Sequence, residues 1–155
     1  MLINKRIEEL IDKKLAKKEE IGFDQVIKHI ERAHKDLIVA KANLEIDEET
    51  AYNSAYLAML RTARALMFSQ GYRPIDGSQH KTVIDFAGIV LGEEFKKLVN
   101  RLDGMRKTRN EFTYNPGVPI SPTEAKESIK LGREWVKKVS SFIQEKNPQL
   151  NLFTE

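Results

Sequence analysis

Residues 47–71, DEETAYNSAYLAMLRTARALMFSQG, decide the fold predicted for this chain. The apolar side chains of this stretch recur at intervals of three and four residues, which is the period of a helix with one buried face. The residues on that face are Tyr52, Tyr56, Met59, Ala63 and Leu66. An aspartate at position 47 can cap the helix and a glycine at position 71 can end it, so the stretch predicts one long core helix.

The same helical period recurs along most of the chain, and no segment alternates apolar and polar residues for more than a few positions. The predicted helices lie within residues 2–20, 24–38, 47–71, 78–87, 93–112 and 121–143, with Asp24, Asp47, Ser78 and Ser121 as N-caps. The strongest start signal is the capping box SPTE at residues 121–124, which has proline in the first helical turn. Gly132, on the buried face of the last helix, predicts a close approach by a neighbouring backbone. The pattern predicts an all-α helical bundle.

The composition is that of a soluble globular protein, with 41% hydrophobic and 32% charged residues in 155. Cysteine is absent, which excludes disulfides and thiolate metal sites. No apolar run approaches the roughly 20 residues that a membrane helix needs. We therefore expect a cytoplasmic protein that does not span a membrane.

Three segments are expected along the chain. Residues 1–22 form an N-terminal helix, residues 23–146 form a helical domain, and residues 147–155 form a frayed tail. The apolar residues of that tail, which could dock on a partner, are Leu150, Leu152 and Phe153.

The excess of positive charge lies in the middle of the chain. The net charge is only +3, but residues 50–115 hold ten basic residues against six acidic ones. Two interpretations remain open for this surplus. It can form a solvated helix face, or it can form a local site for an anion such as phosphate.

Arg109 occupies a position on the apolar face of the predicted helix at residues 93–112. At about 100° per residue it points between Leu102 and Met105. A guanidinium on such a face is costly unless it is paired or borders a cleft or an interface. A structural salt bridge, a snorkelling side chain and a functional arginine held in a groove between helices are the open alternatives.

The residues around Arg109 are of types that can bind phosphate together with a functional arginine. They are Arg106, Lys107, Asn110 and Tyr114, and the last two share a helix face. Arginine can hold a phosphate bidentately, while asparagine and tyrosine add neutral hydrogen bonds and a ring for stacking. Arg61 and Arg64 of the core helix could reach the same groove, although a solvated position or the rim of a dimer interface is an equal alternative.

Histidines and acidic clusters give weaker signals. His29 and His34 lie five residues apart, which is a poor spacing for one shared metal ion on a helix. His80 opens the predicted fourth helix and could touch a phosphate there, but a capping or surface role is favoured. The acidic run at residues 45–49 lacks the ligand spacing of a calcium loop. We expect neither a metal ion nor a cofactor.

Four segments resemble the HEPN domain family, whose name stands for higher eukaryotes and prokaryotes nucleotide-binding. They are AYNSAYLAMLRTARALMFSQGYRP at 51–74, SQHKTVIDF at 78–86, RKTRNEFTYNP at 106–116 and SPTEAKESIKLGREWVKKVSSFI at 121–143. The resemblance covers residues 24–143 and is closest to small prokaryotic members. It implies an up-and-down four-helix bundle core with additional short helices, and a homodimer. It also implies frequent pairing with a minimal nucleotidyltransferase, often as toxin and antitoxin.

In the ribonucleases of this family the active motif is arginine, four to six residues and then histidine, and it acts without a metal. Here the arginine matches Arg109 and the polar residue that often follows it matches Asn110, but four intervening residues lead to Tyr114 where histidine is required. A phenol, with a pKa of about 10 in model peptides, is a poor general base at neutral pH. We therefore expect Arg109 and Asn110 to bind rather than to cut.

The sequence thus predicts a HEPN-type binding and interaction module that holds nucleotide or RNA phosphate. It would act as a homodimer with a nucleotidyltransferase partner in a toxin–antitoxin-like system. One alternative is a metal-independent endoribonuclease toxin that uses Arg109 with Tyr114, or with another substitute for the missing histidine. Another is a purely structural role, in which Arg109 only organises a dimer interface.

Overall fold

The computed structural model describes residues 2–75, 79–150 and 152. Its elements, in chain order, are α1 (Leu2–Asp12), β1 (Ala16–Lys18), α2 (Phe23–Asn43), α3 (Glu48–Ser69), β2 (Tyr72–Pro74), α4 (Gln79–Leu91), a 3₁₀ turn (Glu93–Phe95), α5 (Lys96–Tyr114) and α6 (Pro122–Lys146). Four of these helices, α2, α3, α5 and α6, are long. Helix α1 precedes them and is shorter, as is α4, which lies between α3 and α5. None of these described helices combines the length and the apolar character needed to cross a bilayer. The predicted all-α bundle is confirmed.

Helix α3 lies at the centre of the bundle and packs against α2, α4, α5 and α6. Tyr52, Tyr56 and Met59 are buried, as their spacing predicts. Trp135 of α6 is also fully buried, and its Nε1–H donates to the backbone oxygen of Met59 at 3.0 Å. The close approach predicted at Gly132 is confirmed, because a Cβ there would lie 3.0 Å from a leucine side chain of α2 and 3.5 Å from a backbone oxygen of α3.

Two of the predicted N-caps are confirmed and one is wrong. The Asp47 side chain accepts from a backbone amide in the first turn of α3, and Ser121 begins a complete capping box at α6. At α2 the cap position belongs to Gly22, without a side-chain hydrogen bond, and Asp24 lies inside the first turn. The charge of Asp24 still suits the positive end of the helix dipole there. The predicted cap Ser78 lies outside the described residues.

The N-terminal helix ends earlier than the predicted residue 20, and a short strand follows it. Helix α1 stops at Asp12, Lys14 adopts a positive φ of 60°, and the turned chain forms β1. Strand β1 pairs antiparallel with β2, which lies between the helices predicted at residues 47–71 and 78–87, so that Ala16 faces Pro74 and is buried. A strand of three residues is too short to produce a visible alternation in the sequence, which is why the pattern missed it.

In the described part of the C-terminal tail, two of the three apolar residues expected to be available to a partner pack on their own chain instead. Leu150 and Leu152 are both buried. The Gln144 side chain of α6 fixes them, because its amide donates to the Leu150 backbone oxygen and its Oε1 accepts from the Leu152 backbone amide at 2.9 Å. Phe153, the third residue of that prediction, lies outside the described part of the chain.

Candidate functional site

Four side chains lie on the part of α3 that the neighbouring helices leave open. Between residues 51 and 68, every residue of α3 is buried except Asn53, Leu57, Arg61 and Arg64, which are partly buried. Their spacings of four, four and three residues place them in one stripe along the helix. Three of the four side chains are polar, so this partly exposed stripe of the central helix is mainly polar.

Arg109, in the last turns of α5, reaches the stripe at Asn53. Its Nε–H donates to Asn53 Oδ1 at 3.1 Å, and its Nη1 lies 3.5 Å from Asn110 Oδ1. Its guanidinium forms no ion pair with a carboxylate of the residues that the structure describes. A neutral amide therefore orients the arginine and leaves its positive charge uncompensated. This geometry is that of an arginine held between helices and differs from a salt bridge.

His80, in the first turn of α4, lies beside the same part of α3. The Tyr56 hydroxyl is 3.0 Å from His80 Nδ1, and the two ring centroids are 5.8 Å apart. Tyr56 is fully buried and His80 is partly buried. The hydrogen bond therefore fixes one edge of the imidazole against the core of the bundle.

The surroundings keep both of these rings uncharged near neutral pH. Burial lowers the pKa of His80 from its usual 6.5, and the positive charges of Arg109, Arg64 and Arg106 lower it further. Burial raises the pKa of Tyr56 well above its usual 10, although the same three arginines oppose that rise. Arg109 contacts α3 at Asn53 and His80 contacts it at Tyr56, three residues further on, so the two contacts are neighbours on one helix. Arg106 lies one turn before Arg109, and Arg64 lies on the same stripe of α3 as Asn53.

We call this cluster the arginine–histidine site. It consists of Asn53, Tyr56, Arg64, His80, Arg106 and Arg109. Arg106 is partly compensated, since its Nε lies 2.9 Å from Asp103 Oδ1. Arg64, like Arg109, has no ion pair within the described ranges, and burial together with the nearby Arg61 lowers its pKa. The site therefore holds two guanidinium groups that have no carboxylate partner among the described residues, and a third that shares one carboxylate.

The other residues predicted on α5 lie at the margin of this site. The Lys107 side chain is 71% exposed and shares Asp103 with Arg106, at 3.5 Å. Helix α5 continues to residue 114, so Asn110 and Tyr114 do lie one turn apart on one side of it. Tyr114 is 84% exposed, and no hydrogen bond or ring contact joins it to any described residue.

Arg61 and Arg64, which the sequence suggested as a pair, have different surroundings. Arg61 Nε lies 3.3 Å from Oδ2 of Asp36 on α2, and Arg32 Nε lies 3.2 Å from Oδ1 of the same carboxylate. Asp36 is buried, and burial raises its pKa whereas the two arginines lower it. The charge of Arg61 is thus compensated between α2 and α3, while that of Arg64 is available to the site.

Asn53 was not predicted to belong to the site, and the sequence favoured a capping or surface role for His80. The contact between Tyr56 and His80 joins residues 24 positions apart on two helices, and one sequence carries no signal for such a contact. Asn53 did offer a signal, since it is a polar amide within a helical run that is otherwise strongly apolar. A buried or partly buried amide in such a run needs a hydrogen-bond partner, and here that partner is Arg109.

This arrangement is suited to an anion. Guanidinium groups present planar donors that match two phosphate oxygens, and in a partly buried place their charge is weakly screened. Over residues 2–75, 79–150 and 152, no group of three histidine or carboxylate side chains is placed to hold a metal ion.

A comparison with protein families identifies the relatives of this chain. The model of the HEPN domain family matches residues 26–142, which include α3, α4, α5 and the whole arginine–histidine site. No curated protein matches the chain. Since the family match extends over about three quarters of the 155 residues, the chain belongs to the HEPN domain family.

Proposed function

We propose that this protein is a HEPN-type binding and interaction module that holds RNA or nucleotide phosphate at the arginine–histidine site. The observation that carries this proposal is the pair Arg64 and Arg109, two partly buried guanidinium groups without a carboxylate partner among the described residues. Burying part of an unpaired charge costs free energy of folding. A phosphate bound between the two groups would supply the missing counter-charge.

The geometry of Arg109 supports binding through its outer nitrogens. Asn53 accepts from the Nε–H of Arg109 and Asn110 Oδ1 lies 3.5 Å from Nη1, so the Nη2–H groups and the second Nη1–H remain to donate hydrogen bonds to a phosphate. Asn110 follows Arg109 directly and the exposed Tyr114 lies one turn beyond Asn110 at the end of α5, where they would contact a sugar or a base. Arg106 and Lys107 would add charge at the rim.

Salt dependence tests this proposal quantitatively. For single strands, the logarithm of the binding constant falls with the logarithm of salt concentration by about 0.7 per phosphate neutralised. Two uncompensated arginines therefore predict a slope of about −1.4 for a fluorescein-labelled decauridylate, measured by fluorescence anisotropy in chelator. A slope near zero, or no binding at low salt, would contradict a phosphate site.

We further propose that the protein is a homodimer that works with a nucleotidyltransferase in a toxin–antitoxin-like system. Membership of the HEPN family supports the homodimer, because such domains commonly dimerise. Sedimentation velocity of the purified chain over a range of concentrations tests the dimer. A monomer at every concentration would remove it.

The second candidate function is a metal-independent endoribonuclease, and the specific observation in its favour is His80. The chain lacks the motif histidine after Arg109, but an imidazole held by Tyr56 belongs to the same cluster as Arg109. An uncharged imidazole is a capable general base near neutral pH. Incubation of RNA with the protein in chelator tests this, with Arg109→Ala and Tyr114→Phe alongside. We expect no cleavage above the Arg109→Ala control, and cleavage lost in that variant would favour the enzyme.

A further inference from the structure

His80 is held by one nitrogen only. Its Nδ1 is bound to the hydroxyl of Tyr56, which is buried in the core. In an imidazole ring the two nitrogens lie on different edges, so Nε2 is directed away from Tyr56. No hydrogen bond joins Nε2 to any residue in the part of the chain that the structure describes. A polar group on a partly buried ring is thus left for a ligand.

The hydroxyl of Tyr56 keeps its hydrogen bond whether His80 is neutral or charged. A tyrosine hydroxyl is both a donor and an acceptor. It can donate to the bare Nδ1 of a neutral imidazole, which places the proton of that imidazole on Nε2. After protonation of the ring, the same hydroxyl can accept from Nδ1–H. In both states Nε2–H is a donor directed away from Tyr56. The charged state is the less favourable one in the free protein, because the buried hydroxyl that accepts from Nδ1–H then has no acceptor for its own hydrogen among the described residues.

The charges that act on His80 from the neighbouring helices are positive. Those of Arg64 on α3 and of Arg106 and Arg109 on α5 lower the pKa of His80. On its own helix, Lys81 is paired with Asp85, with 3.3 Å between Nζ and Oδ2. Asp103 of α5 is already bound to Arg106. Among the charges of the described residues, these arginines make an additional positive charge on the imidazole unfavourable while no anion is bound.

Given the phosphate site proposed above, on which this step depends, we propose that His80 is a direct contact of the bound phosphate and takes up a proton as the phosphate binds. The ligand is a phosphate ester, either a free nucleotide or the backbone of single-stranded RNA. Its negative charge compensates Arg64 and Arg109, which removes the repulsion that keeps the imidazole neutral. The proton comes from solvent and is added to Nδ1, while Nε2–H donates to a phosphate oxygen.

The sign of the pH dependence follows from this order of events. In the free protein burial and the arginines hold the pKa of His80 below its usual 6.5. Bound phosphate raises it, so between the two values the complex holds more protons than the free protein. Affinity then increases as pH falls through that interval, by at most a factor of about ten per pH unit for one proton. Above the interval the affinity should not depend on His80.

Isothermal titration calorimetry measures the number of protons that the protein takes up when the phosphate binds. Decauridylate, and in a parallel arm AMP, is titrated into the protein near pH about 6.5 in two buffers that differ in ionisation enthalpy. The proton count is obtained from the difference in observed heat. With decauridylate we expect wild type to take up a measurable fraction of one proton and His80→Gln to take up none, with an affinity that is nearly independent of pH. The monoester phosphate of AMP has a second pKa of about 6 and itself loses protons on binding to guanidinium groups, so in that arm uptake by His80 is the difference in proton count between wild type and His80→Gln. Uptake with AMP would point to a free nucleotide, and uptake with decauridylate alone to RNA.

The two other histidines of the chain give matched controls. His34 is exposed on α2, so His34→Gln should retain full proton uptake. His29 is partly buried and is also near Arg64, so His29→Gln tests whether the wrong histidine has been assigned. If His80→Gln does not fold, ring-proton NMR of the wild type replaces it, and the His80 resonance should titrate at higher pH when decauridylate is bound.

The outcomes separate this inference from the function on which it depends. Binding that requires Arg109 but proceeds without proton uptake, or with uptake that persists in His80→Gln, overturns the role of His80 and leaves the phosphate site. Binding that is absent in wild type, or unchanged in Arg109→Ala, overturns both.

Discussion

Replacing Asn53 by aspartate should separate the stability of the fold from its affinity for RNA. The substitution changes an amide nitrogen into an oxygen and leaves the side-chain volume almost unchanged. It places a carboxylate at the acceptor that now lies 3.1 Å from Arg109 Nε, so the neutral hydrogen bond becomes an ion pair. The fold should tolerate the change, because the new charge has its partner in place. Phosphate binding should weaken, because the new carboxylate neutralises the charge of Arg109, one of the two arginines proposed to hold the phosphate.

The expected magnitudes differ in sign. Two opposite charges at about 4 Å attract each other by about 4 kcal/mol at an effective dielectric constant of 20, but ordering and desolvation reduce measured values for partly exposed pairs to about 0–1 kcal/mol. The free energy of unfolding should therefore rise slightly or stay the same. Loss of one charge-assisted hydrogen bond to phosphate, worth about 1.5–3 kcal/mol, should weaken RNA binding about tenfold or more.

The salt slope gives a second measure. With one uncompensated arginine in place of two, it should change from about −1.4 to about −0.7. Between 50 and 200 mM salt, wild type should then lose affinity about sevenfold and Asn53→Asp about threefold. Chemical denaturation and anisotropy with labelled decauridylate give both quantities on the same preparations.

Asn100→Asp is the matched control for this prediction. It makes the same change of charge on an exposed residue nine positions before Arg109 on α5, which places it about 180° around the helix and about 13.5 Å along it. It should leave both affinity and slope near the wild-type values. The reasoning is refuted if Asn53→Asp binds decauridylate as tightly as wild type with an unchanged slope, or if the Asn100 control loses as much affinity.

Three further predictions concern the packing and the charges of the bundle. Gly132→Ala should lower the free energy of unfolding, because the new Cβ would lie 3.0 Å from a leucine side chain of α2. Gly104→Ala, where nothing lies within 4 Å of the new Cβ, should raise the free energy of unfolding by up to about 1 kcal/mol through helix propensity. Urea denaturation of the two variants measures both changes. Trp135→Phe should lower the free energy of unfolding by about 1–3 kcal/mol, since a buried backbone oxygen of α3 loses its donor; the same denaturation experiment measures it, and an unchanged value would contradict that account. Arg64→Ala should weaken decauridylate binding more than Arg61→Ala, because only the latter arginine is paired with a buried aspartate; equal losses in anisotropy would argue against the assignment.

The helical architecture could be predicted because it depends on local signals. The spacing of apolar residues located α3 and α6, and the capping box at Ser121 located the start of α6 to the residue. The two three-residue strands could not be predicted, because their pairing joins Ala16 to Pro74 across 58 positions. The packing of Leu150 and Leu152 was missed for a similar reason, since a single side chain, Gln144, holds their backbone.

The candidate site was predicted in part. Arg109 stood out because a guanidinium on an apolar helix face conflicts with the local pattern, and that conflict is visible in one sequence. Three other contacts arise from the packing of different helices. They are the hydrogen bond of Arg109 to Asn53, the contact of His80 with Tyr56 and the ion pair of Arg61 with Asp36. A site residue could thus be predicted where the pattern of its own helix marks it as unusual. It could not be predicted where its role depends on a partner from another helix.

The most direct measurement of the central claim compares Arg109→Ala with Arg133→Ala in binding to labelled decauridylate at low salt. Arg133 is an exposed arginine on α6, so its removal makes the same change in net charge away from the site. If the arginine–histidine site holds phosphate, Arg109→Ala should lose at least about tenfold in affinity, and about 0.7 of the salt slope, while Arg133→Ala stays near wild type. Equal affinities for the two variants, with both folded, would contradict it.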